Sequence, residues 1–139
     1  MRDRLGYLLK HAQLALTERT TAALGPLGIN GRELAVLTVL GDGPALAQQQ
    51  AAGRLNVDRT TMVDLVDALE RKGLVERRSD PADRRRNLVH LTADGQRVLA
   101  EGERLYQETE RALGFTDAEL TELKALLRRV SYGEPSVGV

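Results

Sequence analysis

Apolar positions along this chain recur mostly at helical spacing, and residues 56–92 show the pattern most sharply. Met62, Leu65, Val66 and Leu69 stand at i, i+3, i+4 and i+7, one face of a helix with a 3.6-residue period. Asp58 is placed as its N-cap, because a short carboxylate there accepts from the free N–H groups of the first turn. Val57 and Met62 occupy the two positions of a hydrophobic staple around that cap. Gly73 ends the helix directly after Arg71 and Lys72, whose charges suit the negative end of a helix dipole. Residues 74–78 and 88–92 then read as two short strands. Between them, residues 79–86 form a turn segment that ends in Arg84, Arg85 and Arg86.

The flanking pattern is helical almost throughout. Residues 2–24 carry Leu5, Leu8, Leu9, Ala12, Ala15 and Leu16, then Ala23 and Leu24, a long helix with one apolar stripe that Gly25-Pro26-Leu27-Gly28 breaks. Asn30 caps a second helix with Leu34, Val36, Leu37 and Leu40 on its apolar face, closed by Gly41-Asp42-Gly43-Pro44. A third helix, from about residue 46 to 55, is the weak one. Ala47 stands where Ser or Thr would cap it, Ala51 is small, and Gly53 lies inside it at a cost of about 1 kcal/mol relative to Ala. Gln48, Gln49 and Gln50 on this helix can hydrogen-bond phosphates or simply form a solvated face. Asn56 follows where a tight helix-to-helix turn needs a residue tolerant of positive φ. Residues 94–113 form a helix with Val98, Leu99, Leu105 and Tyr106 as candidate buried positions. The last helix opens on a capping box, Thr116 with Glu119, and a staple, Phe115 with Leu120. Its apolar face is Leu120, Leu123, Leu127 and Val130, and residues 132–139 read as a frayed tail.

A helix followed by an arginine-tipped hairpin is the outline of a winged helix-turn-helix, which lays a helix in the major groove and a loop beside it. The predicted class is therefore mainly α with a small β-hairpin wing. At 139 residues a single domain is expected, with residues 30–92 as the winged-helix core.

Charge changes the picture in one respect. The formal net charge is zero, but residues 54–86 hold nine bases against seven acids, while from Asn87 onward nine acids oppose six bases. A locally basic surface on an otherwise acidic chain is compatible with DNA, because the local field governs the encounter. Cysteine is absent, which removes disulfides and thiolate chemistry, and the two histidines, His11 and His90, are too few for a metal cluster. There is no apolar run long enough to span a bilayer and no secretory segment behind Met1, so a cytoplasmic protein is expected. With no Gly-rich phosphate loop, no metal-ligand spacing and no paired catalytic carboxylates, the chain is not read as an enzyme, and no cofactor is implied.

The same stretch resembles the DNA-binding core of the MarR family of bacterial transcription regulators. The residues that carry the resemblance are Val57-Asp58-Arg59-Thr60-Thr61, Leu65-Val66-Asp67, Leu69-Glu70 and Gly73-Leu74-Val75-Glu76-Arg77. They continue through Asp80-Pro81, Asp83-Arg84-Arg85, Leu88-Val89 and Leu91-Thr92 to Gly95. The resemblance implies a homodimer, with helices in 1–24 and 94–131 interdigitating across a two-fold axis and two wings offered to a pseudo-palindromic site. It also implies release from DNA by a small aromatic or anionic effector. Tyr7, Lys10 and His11 in the first helix, with Arg32 or Tyr106 opposite, are the candidates to line its crevice.

Candidate DNA contacts follow from position. Arg59, Thr60 and Thr61 sit in the first turn of the reading helix, where polar side chains reach phosphates and base edges. Val63 and Asp64 depart from the family pattern, which often has a hydroxyl and a basic residue there, and Ala68 stands where Arg is frequent. Val63 can meet only a thymine methyl or a sugar; Asp64 can accept from a cytosine amino group but is repelled by phosphates. In the hairpin, the resemblance assigns Arg85 to the minor groove and to a bracing pair with Asp67, leaving Arg84 and Arg86 to phosphates. The alternative to a regulator is a winged-helix architectural or protein-interaction module without an effector.

Overall fold

The computed structural model describes residues 1–42 and 46–133, and for 46–49 the backbone alone. The expected Gly43-Pro44 helix closure, the side chains of Ala47, Gln48 and Gln49, and residues 134–139 lie outside the described residues. The chain forms two compact units, Met1–Gln107 and Glu108 onward.

The first unit opens with α1 (Leu5–Leu24), a 3-10 turn (Gly25–Leu27) and α2 (Gly31–Gly41). A two-residue strand β1 (Leu46–Ala47) precedes α3 (Gln48–Leu55) and α4 (Arg59–Arg71). The hairpin β2 (Val75–Asp80) and β3 (Asp83–Leu91) leads into α5 (Ala93–Arg111), whose end passes into the second unit, and α6 (Asp117–Tyr132) is the last element among the described residues. The third helix is thus shorter than its sequence pattern indicates, because Leu46 and Ala47 pair with Val89 and Leu88 instead. β1, β3 and β2 make one antiparallel sheet in that order.

The chain's own chemistry places the ends of these elements. Asn30 and Glu33 form a reciprocal capping box at α2, and Thr116 with Glu119 does the same at α6. Asn56 takes φ 53° in the turn between α3 and α4. At the end of α4, Gly73 adopts φ 74°, with its N–H on the Glu70 carbonyl and that of Leu74 on the Leu69 carbonyl, a Schellman closure.

Leu24, Val36, Leu37, Met62, Val66, Leu69, Val75 and Val89 are almost fully excluded from solvent and form the centre of the core. Three of them belong to the four-residue stripe read from α4, whose other member, Leu65, is half-buried, so the opposite side of the helix is left outside. Ala51 is 1% exposed and is the point at which α3 joins the core. Thr92 closes the base of the wing. Its hydroxyl donates to the Gly73 carbonyl at 2.7 Å and accepts the Gly95 N–H at 3.0 Å, while its own N–H meets the Leu74 carbonyl. A Cβ on Gly95 would lie 2.0 Å from the Leu74 carbonyl oxygen, so α5 approaches the hairpin base at a distance only glycine allows.

Candidate DNA interface

The reading helix α4 presents a polar first turn. Its cap is Asp58, whose carboxylate accepts the Thr61 N–H at 2.6 Å. That bond, then one from the Thr61 side chain and a weaker one from the Thr60 N–H, hold the Asp58 carboxyl below the usual aspartate range. Thr61, half-buried, caps its own helix through its backbone N–H. Arg59 and Thr60 stay exposed, as expected of residues that meet a duplex, and Asp64 is exposed one turn further on. Val63 is half-buried and offers less surface than its place on the helix suggested.

The wing departs from expectation in two ways. The strands are longer than the turn-rich composition indicated, and the arginines lie on β3 itself. Ser79 pairs with Asn87 and the next residue, Asp80, with Asp83, so Arg84, Arg85 and Arg86 bulge from β3 with no opposite number on β2. Asp80 and Asp83 shape this tip through their carboxylates, which accept the Ala82 and Arg85 N–H groups. All three arginines are exposed, and among the described residues only Arg86 approaches an acid, Asp80, at 3.9 Å.

The expected brace between Asp67 and Arg85 is not formed. Asp67 is held instead by Arg77 of β2, Nη2 to Oδ1 at 2.6 Å, and the other arm of the same guanidinium donates to Glu70 at 2.8 Å. Strand alternation explains the exchange: Arg77 points from the wing towards α4, whereas Glu76 and Arg78 point away and pair with each other. The bracing function survives, at the root of the wing rather than at its tip. The motif Val75-Glu76-Arg77 carried the signal, for Arg77 is the inward position between two outward ones.

A second ion pair was not foreseen. Glu33, 3% exposed, receives Lys72 at 2.7 and 2.9 Å through its two oxygens, and the Asn30 N–H at 3.0 Å. It ties the start of α2 to the end of α4. The capping-box spacing from Asn30 marks Glu33, but its partner is 39 residues away and leaves no local pattern.

Arg32 and Tyr106 line a cleft of about 590 Å³ between α1, α2 and α5, together with Gln13, Thr17 and Asn30. It adjoins a second hollow of about 400 Å³ that shares Gly31, Ala35 and Tyr106 and adds Leu34 and Val39. Tyr7, Lys10 and His11 do not line either. Tyr7 and His11 face each other one turn apart on α1, ring centres 4.1 Å apart, nearer its N-terminus.

Comparison with known proteins bears on this geometry. The model of the MarR family matches residues 27–86. A Thauera aromatica protein assigned as transcriptional regulator of the hcr operon is 36% identical over 129 residues, 91% of this chain and 75% of that relative. Among solved structures, the transcriptional repressor CouR bound to a 23-mer DNA duplex superposes with a TM-score of 0.85 at 30% identity, covering 93% of each chain. CouR from Rhodococcus jostii RHA1 is also known with p-coumaroyl-CoA, at 26% identity and TM-score 0.82, covering 96% of this chain and 95% of that one. The PcaV regulator of Streptomyces coelicolor, in complex with its natural ligand, matches at 27% identity and TM-score 0.84 over 95% of both chains.

Proposed function

This chain belongs to the MarR family of transcription regulators, and from that premise we propose that it is a cytoplasmic homodimeric repressor of a pseudo-palindromic operator, released by a small aromatic or anionic ligand. The observation that carries the reading is the joint between α4 and the wing. A helix whose exposed first turn holds Arg59 and Thr60 is locked through Arg77 to a hairpin bearing three exposed arginines. One rigid piece thus offers groove-reading and phosphate-binding groups together.

In this reading the chain is one functional domain: residues 30–92 hold the DNA, and the helices in 1–24 and 94–131 dimerise. Support for the dimer is the apolar surface those helices leave open, including Leu5, Leu8 and Leu14 on α1 and Leu123, Leu126 and Val130 on α6, each at least 36% exposed. The effector occupies the cleft at Arg32 and Tyr106, where a guanidinium and a phenol suit an aromatic acid. The ligand-bound structures of CouR and PcaV support a small-molecule site in this fold. A ligand that fits only the spacing unfit for DNA would shift the population away from binding.

The test is selection of bound sequences from random DNA, repeated with aromatic acids present, alongside light scattering of the free protein. A single discrete half-site repeated about the dyad is expected, from a dimer at micromolar concentration. Sequence-indifferent retardation would return the architectural alternative, and a monomer would remove the two-fold reading.

A further inference from the structure

We propose that Asp64 is a specificity-determining residue, selecting cytosine at one position of each half-site. The proposal rests on the DNA-reading role given to α4 and names what that helix reads.

Beyond the cap, α4 carries three carboxylates, Asp64, Asp67 and Glu70. A duplex is a column of negative charge, so acids on a reading helix demand an account. The structure disposes of two of them. The Arg77 guanidinium binds Asp67 and Glu70 with one arm each, and with its side chain 19% exposed it lies partly out of solvent. Asp64 is different: it is exposed, and no cation among the described residues pairs with it.

Its direction is set by the core. At 3.6 residues per turn, Met62, Val66 and Leu69 lie about 160°, 160° and 140° around the helix from residue 64. Since those three are at most 1% exposed, Asp64 points straight outward, one turn beyond Thr60. On a helix lying in the major groove, that direction is the groove floor rather than the phosphate rails.

There a carboxylate, an acceptor without a proton to give, discriminates by what it is refused. Guanine offers N7 and O6, both acceptors, and thymine an acceptor and a methyl group. Cytosine presents its amino group, a donor, without the neighbouring N7 acceptor that adenine carries. Cytosine is therefore the base that suits Asp64 best: adenine sets an opposing N7 beside its donor, and guanine and thymine offer no donor. Arg77 offsets one of the two charges on Asp67 and Glu70 and holds both carboxylates towards the wing, so that Asp64 is the acid presented outward.

The experiment compares sequence selection by the wild-type chain, Asp64→Ala and Asp64→Asn, followed by titration of the selected operator and its single-base variants at fixed salt. Wild type should prefer cytosine over thymine at one half-site position by about tenfold. Asp64→Ala should lose that preference alone, and Asp64→Asn should move it towards adenine, which an amide contacts through both N6 and N7. Equal thermal midpoints would show that the exposed substitution leaves the fold in place. If Asp64→Ala keeps the wild-type preference and merely binds every sequence more tightly, Asp64 acts by repulsion only and the proposal falls while the regulator reading stands. If the wild type selects no discrete sequence, both fall.

Discussion

At the scale of single residues, what matters is which polar groups the fold has already used. Thr61 is engaged with Asp58 and Arg77 with two carboxylates, while Arg59, Thr60, Arg84 and Arg85 are left to solvent. Arg85→Ala should cost roughly 1–3 kcal/mol of operator affinity, as for a guanidinium seated in a narrow minor groove, whereas Arg84→Ala should mainly reduce the salt dependence by one phosphate contact. Equal affinity of wild type and Arg85→Ala at fixed salt would remove the groove assignment. Asp58 gives a prediction with a definite sign. Its pKa is lower folded than the ordinary 3.8, so its stabilisation is complete above that value and disappears as pH falls through the folded pKa. Urea midpoints should therefore show Asp58→Ala less stable than wild type at pH 7, with the gap narrowing as the pH is lowered below 3.8.

At the scale of elements, α3 and the wing show opposite relations between sequence and fold. In α3, Gly53 weakens the helix with no compensating close approach, since a Cβ there meets nothing within 4 Å. Gly53→Ala should stabilise the protein by about 1 kcal/mol, read as a rise in the denaturation midpoint with the same m-value. A loss of stability would show that the backbone at Gly53 is needed for the turn at Asn56. In the wing, by contrast, the turn residues Asp80-Pro81 marked the hairpin but not its length. Aspartate and arginine have poor strand propensity in isolation, yet here β3 is drawn out to Asp83 by pairing with β2, and the arginines are accommodated as a bulge.

At the scale of the whole molecule, the reading head is held by contacts between elements far apart in sequence. Glu33 and Lys72 join α2 to the end of α4, and Thr92 and Gly95 fix α5 against the root of the wing. Lys72→Met should leave a buried carboxylate with only the Asn30 N–H, costing about 1–2 kcal/mol, the lower part of the usual range because Lys72 is 40% exposed. Chemical denaturation of Lys72→Met and of the double variant Lys72→Met/Glu33→Gln should recover part of that loss in the double. No recovery would mean that the lysine contributes by packing alone. Because Asn30 and Arg32 line the cleft while Glu33 binds the end of α4, the same link joins the cleft's rim to the reading helix.

Local physics decided most of the architecture before any tertiary contact. The apolar stripe of α4, the Asp58 and Thr116 caps, the positive φ at Asn56 and the Gly73 stop each depend on residues within one or two turns, and a linear pattern records them in full. Long-range geometry decided the rest. Which arginine braces Asp67, which lysine finds the buried Glu33 and which side chains share the cleft depend on how strands alternate and helices approach across the fold. The family resemblance pointed to Arg85 as the partner of Asp67, while Arg77 carries the same charge nearer the root of the wing. Only the pleat of β2, turning Arg77 inward and leaving the β3 bulge in solvent, chose between them.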